Sequence, residues 1–403
     1  MAVIPPPYHD TMNVRVESPL PTAKSAESHL EPTDRAARWA ATMSGHDDDT
    51  IQRAHIDPVV LTPASPLPAV TRIARESAEA SLLALGATSA FGAGNRTIPE
   101  APDPIRTCFE RDRDRILHAA AFRRLAGKTQ VFIFPADHQR TRLTHALEVA
   151  QVATAMADAL GLNRPLTEAI ALGHDCGHGP GGHASEDAFA PYIPGGYDHA
   201  VWGADVILNP LNLCHETLDG IRNHSWSRPT PATPEGEVVA WADRIAYVCH
   251  DFEDAVSTGI VNANELPEAV QRLCGVQRSS QIAGFINGVI EASTRSGTIA
   301  MTSGQARGLA AFRAFNYEHI YLRPASVAQA NAVIRMLQAL VEHFAQQPGL
   351  IPDPSDDVAG SALALHASVA YVAGMTDRFA CQQALTQLRW TTNDLPRGVD
   401  VTL

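Results

Sequence analysis

Fourteen consecutive residues, His174-Asp-Cys-Gly-His-Gly-Pro-Gly-Gly-His-Ala-Ser-Glu-Asp187, carry three imidazoles and three carboxylates, and any fold open to this chain must accommodate them. A packed core has no use for such density, because each buried charge needs a partner or a metal. The preceding run, Pro165-Leu-Thr-Glu-Ala-Ile-Ala-Leu-Gly173, reads as a helix with Pro in its first turn and apolar positions at Leu166, Ile170 and Leu172. His174 and Asp175 therefore close that helix. Adjacent helical residues diverge by roughly 100°, so this pair grips a metal only if further ligands arrive from other helices.

Two other helices offer them. Thr144 to Leu160 sets Leu147, Ala150, Val152, Ala153, Met156 and Leu160 on an apolar side, ends at Gly161 and holds His145 in its first turn. Glu237 to Val256 repeats Val238, Trp241, Ile245, Val248 and Phe252 every three to four residues, and its other face stacks Asp243, Tyr247 and Asp251 at i, i+4, i+8. Further helices are expected at about 70–85, 111–125, 200–209, 213–222, 265–274, 279–293, 304–321, 326–346 and 360–387, and Thr129 to Phe134 reads as β-like. No alternating pattern would build a sheet and no internal repeat is visible. The expected class is all-α.

Residues 1–68 hold ten of the 28 prolines and little periodicity, as in an extended or disordered arm. Residues 69–104 read as a docking helix and linker, and 105–390 as the catalytic core. A formal net charge of −13 repels nucleic acid and anionic membrane, so nucleic acid is unlikely as the main partner. A phosphate-bearing substrate would need a local basic cluster or a metal. No apolar run is long enough to span a membrane and the opening Met-Ala-Val-Ile-Pro-Pro-Pro does not read as a basic-then-apolar leader, so a cytoplasmic location is expected. The six cysteines form no CxxC pair, which argues against a disulfide framework or thiolate zinc site.

His145, His174, Asp175 and Asp243 are thus candidate metal ligands from three helices. Imidazole with carboxylate suits Mn, Fe, Co, Ni or Zn, and Mg less well. This His…His-Asp…Asp order resembles the signature of the HD-domain metal-dependent phosphohydrolases. Arg140-Thr-Arg-Leu-Thr-His145, His174-Asp-x-Gly-His178-x-Pro-x-Gly-His183-x-x-Glu186, Ala242-Asp243-Arg-Ile-Ala-Tyr247 and Ala373-Gly-Met-Thr-Asp-Arg-Phe379 resemble, within that superfamily, the bacterial dGTPase and dNTP triphosphohydrolase group. The resemblance spans roughly 105 to 385. It implies an HD-domain helical bundle with additional C-terminal helices, a divalent metal, a dNTP substrate and a homo-oligomer. Carried over by position, His145, His174, Asp175 and Asp243 match the metal ligands, and His183 with Glu186 matches the catalytic pair. Arg142, Arg244, His178 and His199 match or neighbour phosphate contacts, Tyr247 and Asp251 line a sugar pocket, and Gln130 approaches the deoxyribose. The chain departs where the group commonly has Phe before the Gly-His of the second motif. Here Gly181 stands there, which removes a pocket wall.

Cleavage between the α-phosphorus and O5′ expels a basic alkoxide, so a general acid is required. A His183 imidazolium oriented by Glu186 can serve, while a metal and Arg142 neutralise charge on the phosphoryl oxygens. A tyrosine ring under C2′ would disfavour ribose. Two alternatives remain open at this point: an HD phosphohydrolase acting on nucleoside monophosphates or a signalling nucleotide, and a catalytically idle nucleotide-binding regulator.

Overall fold

The computed structural model describes residues 32–42, 46–47, 51–55, 57, 69–135, 138–352 and 358–398. Two compact units divide the chain, Met1–Ala69 and Val70–Leu403. In the first, the described residues form helix α1 (Pro32–Thr42) and two short antiparallel strands, β1 (His46–Asp47) and β2 (Gln52–Arg53), paired His46 with Arg53. The expected extended arm therefore contains regular structure, and the rest of that expectation lies outside the described residues.

The second unit is helical. It runs α2 (Arg72–Leu82), α3 (Cys108–His118), α4 (Ala120–Arg124), α5 (Arg142–Leu160), α6 (Arg164–Gly173), α7 (Ala184–Phe189), α8 (His199–Trp202) and α9 (His215–Asn223). Then follow α10 (Pro234–Ser257), α11 (Glu268–Cys274), α12 (Arg278–Ser296), α13 (Ser303–Asn316), α14 (Pro324–Gln346), α15 (Ala362–Ala373) and α16 (Asp377–Gln387). The class is all-α, as the periodicity predicts.

Capping chemistry sets several ends. Thr107 and Glu110 close a reciprocal capping box at α3. Asn163 accepts the Leu166 N–H at the start of α6, with Pro165 in its first turn. Gly161, at φ 66°, ends α5 in the left-handed region.

Four expectations need correction. The 111–125 helix breaks at Ala119, which adopts extended geometry between α3 and α4. The 360–387 helix divides at Gly374–Thr376, where Thr376 caps α16 by accepting the Phe379 N–H. The 200–209 helix is the short α8 followed by a wide turn, Gly203–Ile207. Residues 129–134 form bends rather than a strand, with a single bridge from Thr129 to Thr141. The Thr129 N–H is taken by a side chain, Asp377, so no ladder extends from it.

The linker docks through polar groups, while Ile73 and Leu82 of α2 stay exposed. Buried Glu235 accepts the backbone N–H groups of Thr88 and Asn163, and Arg75 pairs with Glu110. Two apolar cores fill the unit. One surrounds Met156, Ile170, Leu172 and Ile245 of α5, α6 and α10. The other packs Ala188 and Phe189 of α7 against Leu337, Leu340 and Phe344 of α14 and Val369 of α15. The segment 174–183 crosses from Cys176 in the first core to Ala184 in the second.

That crossing demands close backbone approach at Gly177, where an added Cβ would lie 2.0 Å from the His199 carbonyl and 2.5 Å from the Gly203 nitrogen. Backbone cannot yield as a side-chain tip can. Gly177→Ala is therefore expected to destabilise the fold by about 3 kcal/mol or more, the upper end for overpacking, measured by urea unfolding.

Candidate active site

The four proposed ligands converge. His145 Nε2 lies 3.1 Å from Asp243 Oδ1, and His174 Nε2 is 3.7 Å from that oxygen and 3.5 Å from Asp175 Oδ1. Asp175 Oδ2 stands 3.9 Å from His145 Nε2. His145 comes from the first turn of α5, His174 and Asp175 from the end of α6, and Asp243 from the middle of α10.

The donor chemistry fits a divalent cation. His174 Nδ1 donates to the Ala171 carbonyl at 2.6 Å, which leaves Nε2 as a lone pair. That nitrogen is buried with no hydrogen-bond partner, an arrangement a metal satisfies. Burial alone would raise the carboxyls of Asp175 and Asp243, yet Arg142 and the adjoining imidazoles at Asp175, and the His145 hydrogen bond with its neighbouring imidazoles at Asp243, hold both well below the usual carboxylate range. Arg142 does much of this at Asp175, donating Nη1 to Oδ2 at 2.7 Å. Its Nε and Nη2, also buried, have no partner and line the cavity.

A second row stands beside the ligands. His178 Nε2 lies 3.2 Å from Asp175 Oδ1, and its ring stacks on His199 at a centroid distance of 3.7 Å. Glu186, in the first turn of α7, accepts a hydrogen bond from His199 Nδ1. The expected arrangement, in which Glu186 orients His183, is thus altered: the carboxylate is bonded to His199, with His183 close enough for its ligand nitrogen to fall within 4.8 Å. The physical reason is that His199, the first residue of α8, reaches the Glu186 carboxylate. His199 is buried.

His199 Nε2 also meets His224 Nε2 at 3.3 Å, while His224 Nδ1 donates to the Ile221 carbonyl. Burial opposes the His199 imidazolium, but Glu186 outweighs it and raises the pKa, whereas burial pushes His224 down to about 4. His199 is then the donor between the two rings. His183 lines the cavity with its side chain exposed, and the surrounding protein, followed by the charge of Arg142, lowers its pKa.

These groups open on one cavity of about 950 Å³. Gln130, Tyr247 and Asp251 line it, with Gln130 Oε1 and Asp251 Oδ1 buried and unpartnered. Tyr321 donates its hydroxyl to Asp251 Oδ2 at 2.5 Å, and burial still pushes the Asp251 carboxyl up to about 7. Arg244 lies 3.7 Å over the Trp226 ring. Arg313 donates Nε to the Tyr247 hydroxyl at 2.7 Å. Neither arginine pairs with a carboxylate among the described residues.

His224, Arg313, Tyr321 and Trp226 escaped the sequence reading, since each reaches the cavity through interhelical packing and none shares a spacing with the ligand set. Gly181 also needs revision as a missing wall. Val333 of α14 presses there, and a Cβ at Gly181 would lie 2.5 Å from its Cγ1. Ala330 and Ile334 continue that wall around the cavity.

Family comparisons agree with this architecture. Residues 142–248 match the HD domain and residues 299–385 the Phosphohydrolase-associated domain. A deoxyguanosinetriphosphate triphosphohydrolase-like protein of Caldanaerobacter subterraneus subsp. tengcongensis is 38% identical, covering 76% of this chain and 92% of its own. Proteins of the same description from Clostridium perfringens and Brucella suis are 37% and 34% identical, over 70% and 73% of this chain and 87% and 92% of theirs. Among the described residues no helix is long and apolar enough to cross a membrane.

Asp243→Ala removes the carboxylate oxygen that faces both imidazoles. The variant is expected to retain its helical circular dichroism but less than about a tenth of the wild-type metal content after loading with Mn, in line with the loss of a ligand, as read by elemental analysis. Metal-stripped wild type should stay folded and regain metal on addition of Mn.

Proposed function

We propose that this chain, which belongs to the HD-domain phosphohydrolases related to dGTPase-like proteins, hydrolyses deoxyribonucleoside triphosphates to deoxynucleoside and inorganic triphosphate. The observation that carries the proposal is the cavity itself: the His-Asp cluster and His183 share it with Arg244 and Arg313, two guanidiniums without carboxylate partners. In a chain whose formal net charge is −13, such cations are suited to a polyanionic tail.

His145, His174, Asp175 and Asp243 would hold the divalent ion. When bound, it supplies Lewis-acid stabilisation of the phosphoryl oxygens and lowers the pKa of attacking water. Manganese, iron, cobalt, nickel and zinc suit this donor set better than magnesium. Arg142, fixed in place by Asp175 and with its Nε and Nη2 unpartnered, would contribute positive charge beside the same phosphoryl group. The water oxygen bonds to the α-phosphorus as the bond to O5′ breaks, His183 protonates O5′ as it leaves, and the proton shed by the attacking water passes to solvent, from which His183 is reprotonated. The protein around His183 lowers its pKa, and the several negative charges of a bound triphosphate favour the imidazolium. His199, held by Glu186, adds a second proton-bearing imidazole beside the phosphoryl group.

Tyr247 and Asp251 would face the sugar. Asp251 Oδ1 is buried without a partner while Oδ2 is fixed by Tyr321, so a sugar hydroxyl satisfies it. The tyrosine ring leaves a 2′-hydroxyl little room, which favours deoxyribose. Assembly into a homo-oligomer and a cytoplasmic site of action complete the proposal.

Incubating the Mn-loaded protein with each dNTP should release inorganic triphosphate, identified by mass. Orthophosphate or pyrophosphate would instead indicate cleavage elsewhere in the chain of phosphates. His183→Ala should keep metal and nucleotide affinity while single-turnover rate falls roughly 10²- to 10⁴-fold, the usual worth of general acid catalysis. Arg313→Ala should chiefly raise KM, by about tenfold or more, as expected for loss of charge-assisted hydrogen bonds.

A further inference from the structure

Ala373-Gly-Met-Thr-Asp377 joins α15 to α16, far along the chain from the catalytic stretch, yet its polar atoms are directed at it. Asp377 is buried. Its Oδ1 accepts the Gly181 N–H at 2.9 Å, and its Oδ2 accepts both the Thr129 N–H at 2.9 Å and the Thr129 hydroxyl at 2.5 Å. Lys128, also buried, donates Nζ to the Ala373 carbonyl at 3.0 Å and to the His178 carbonyl. The contact is tight, since a Cβ on Gly127 would lie 2.8 Å from Thr376 Cγ2.

Two active-site segments are thereby tied to one turn. The first, Lys128 to Gln130, lies on the cavity rim. The second, His178 to His183, includes Gly179-Pro-Gly-Gly182, a stretch with three glycines and little stiffness of its own. We infer that Asp377 is a positioning residue: its carboxylate holds the glycine loop against the Thr129 segment so that His183 meets the leaving oxygen. The inference rests on the reaction proposed above. It gives the phosphohydrolase-associated segment a task inside the catalytic centre.

A carboxylate is needed because three donors fall on two oxygens. In Asp377→Asn the amide NH2 must face either the Gly181 N–H or the Thr129 pair, so one arm is lost in both flips. The metal ligands sit on or beside α5, α6 and α10 and none bonds to Asp377, so the cation should remain.

The test compares full-length, Mn-loaded wild type with Asp377→Asn and with Thr129→Val, which removes only the hydroxyl arm. In Asp377→Asn, kcat for dNTP per bound metal should fall about ten- to hundredfold, the order expected for a small misplacement of a catalytic group. KM and metal content should change less than threefold. Hydrogen exchange across residues 178–183 should quicken while α5 and α10 keep their protection. Thr129→Val should lose two- to fivefold in kcat with the same pattern, and it decides the matter if Asp377→Asn does not fold. Unchanged kcat, or loss of metal in step with kcat, would overturn the positioning role. A wild type inactive on every dNTP defeats the reaction proposed above; loop exchange then decides this inference alone, and unchanged exchange overturns it.

Discussion

Asp175 is buried with one carboxylate oxygen on Arg142 and the other facing the imidazoles of His174 and His178. A carboxylate removed from water is tolerated only where cationic and hydrogen-bonding groups surround it, and much of the fold follows from supplying them. Gly182 must be glycine for this arginine, since a Cβ there would stand 2.7 Å from Arg142 Nη2. Gly220 lets α9 press on α6, where a Cβ would meet Ile170 Cδ1 at 2.4 Å. That approach places His224 at the end of α9 with its ring centroid 5.0 Å from that of His174.

The same balance separates two arginines only two residues apart. Arg140 is matched by Glu148, Glu253 and Asp254, and its carbonyl and carboxylate contacts account for its guanidinium. Arg142 has one carboxylate, Asp175, and keeps two N–H donors unpartnered toward the cavity. A fully paired guanidinium ties α5 to α10; a partly paired one is left with capacity to bind an anion. Arg244 and Arg313 follow the second pattern, resting on an aromatic face and a phenol in place of acids. In the cavity these guanidiniums stand beside Asp175, Asp187, Asp243 and Asp251, so they offer anion-binding donors in a lining that also holds carboxylates.

The candidate ligand set was legible because its His…His-Asp…Asp order resembles the HD-domain signature, and helix geometry alone brings Asp243, Tyr247 and Asp251 onto one face. The all-α class was legible from the helical periodicity. The breaks at Ala119 and Gly374–Thr376 were not, because both flanking stretches have helical pattern and the interruption is set by what the turn touches: at Thr376, the close approach to Gly127. Residues 129–134 have β-like composition, but a strand requires a partner, and Asp377 takes the backbone donor that would have begun a ladder. Glu186 was legible only as a candidate through its place in the motif, while its bond to His199 depends on the placement of α8. His224 and Arg313 carry no local signature, since what distinguishes them is the neighbour each meets across a helix interface.

The two halves of the chemistry rest on differently built supports. The candidate ligands stand on or beside α5, α6 and α10, whose apolar faces share the first core, and a metal site would need that rigidity. His183 lies just before α7, whose Ala188 and Phe189 belong to the second core with α14 and α15. The glycine loop between them crosses the seam, and Gly181 and Gly182 adopt positive φ values of 74° and 64° that give the crossing its shape. Such a loop gains its definition from outside, through the buried Asp377 and Lys128 contacts. The C-terminal helices therefore complete the site: without the second core the imidazole facing the cavity has no fixed floor, whereas the ligand cluster has its own.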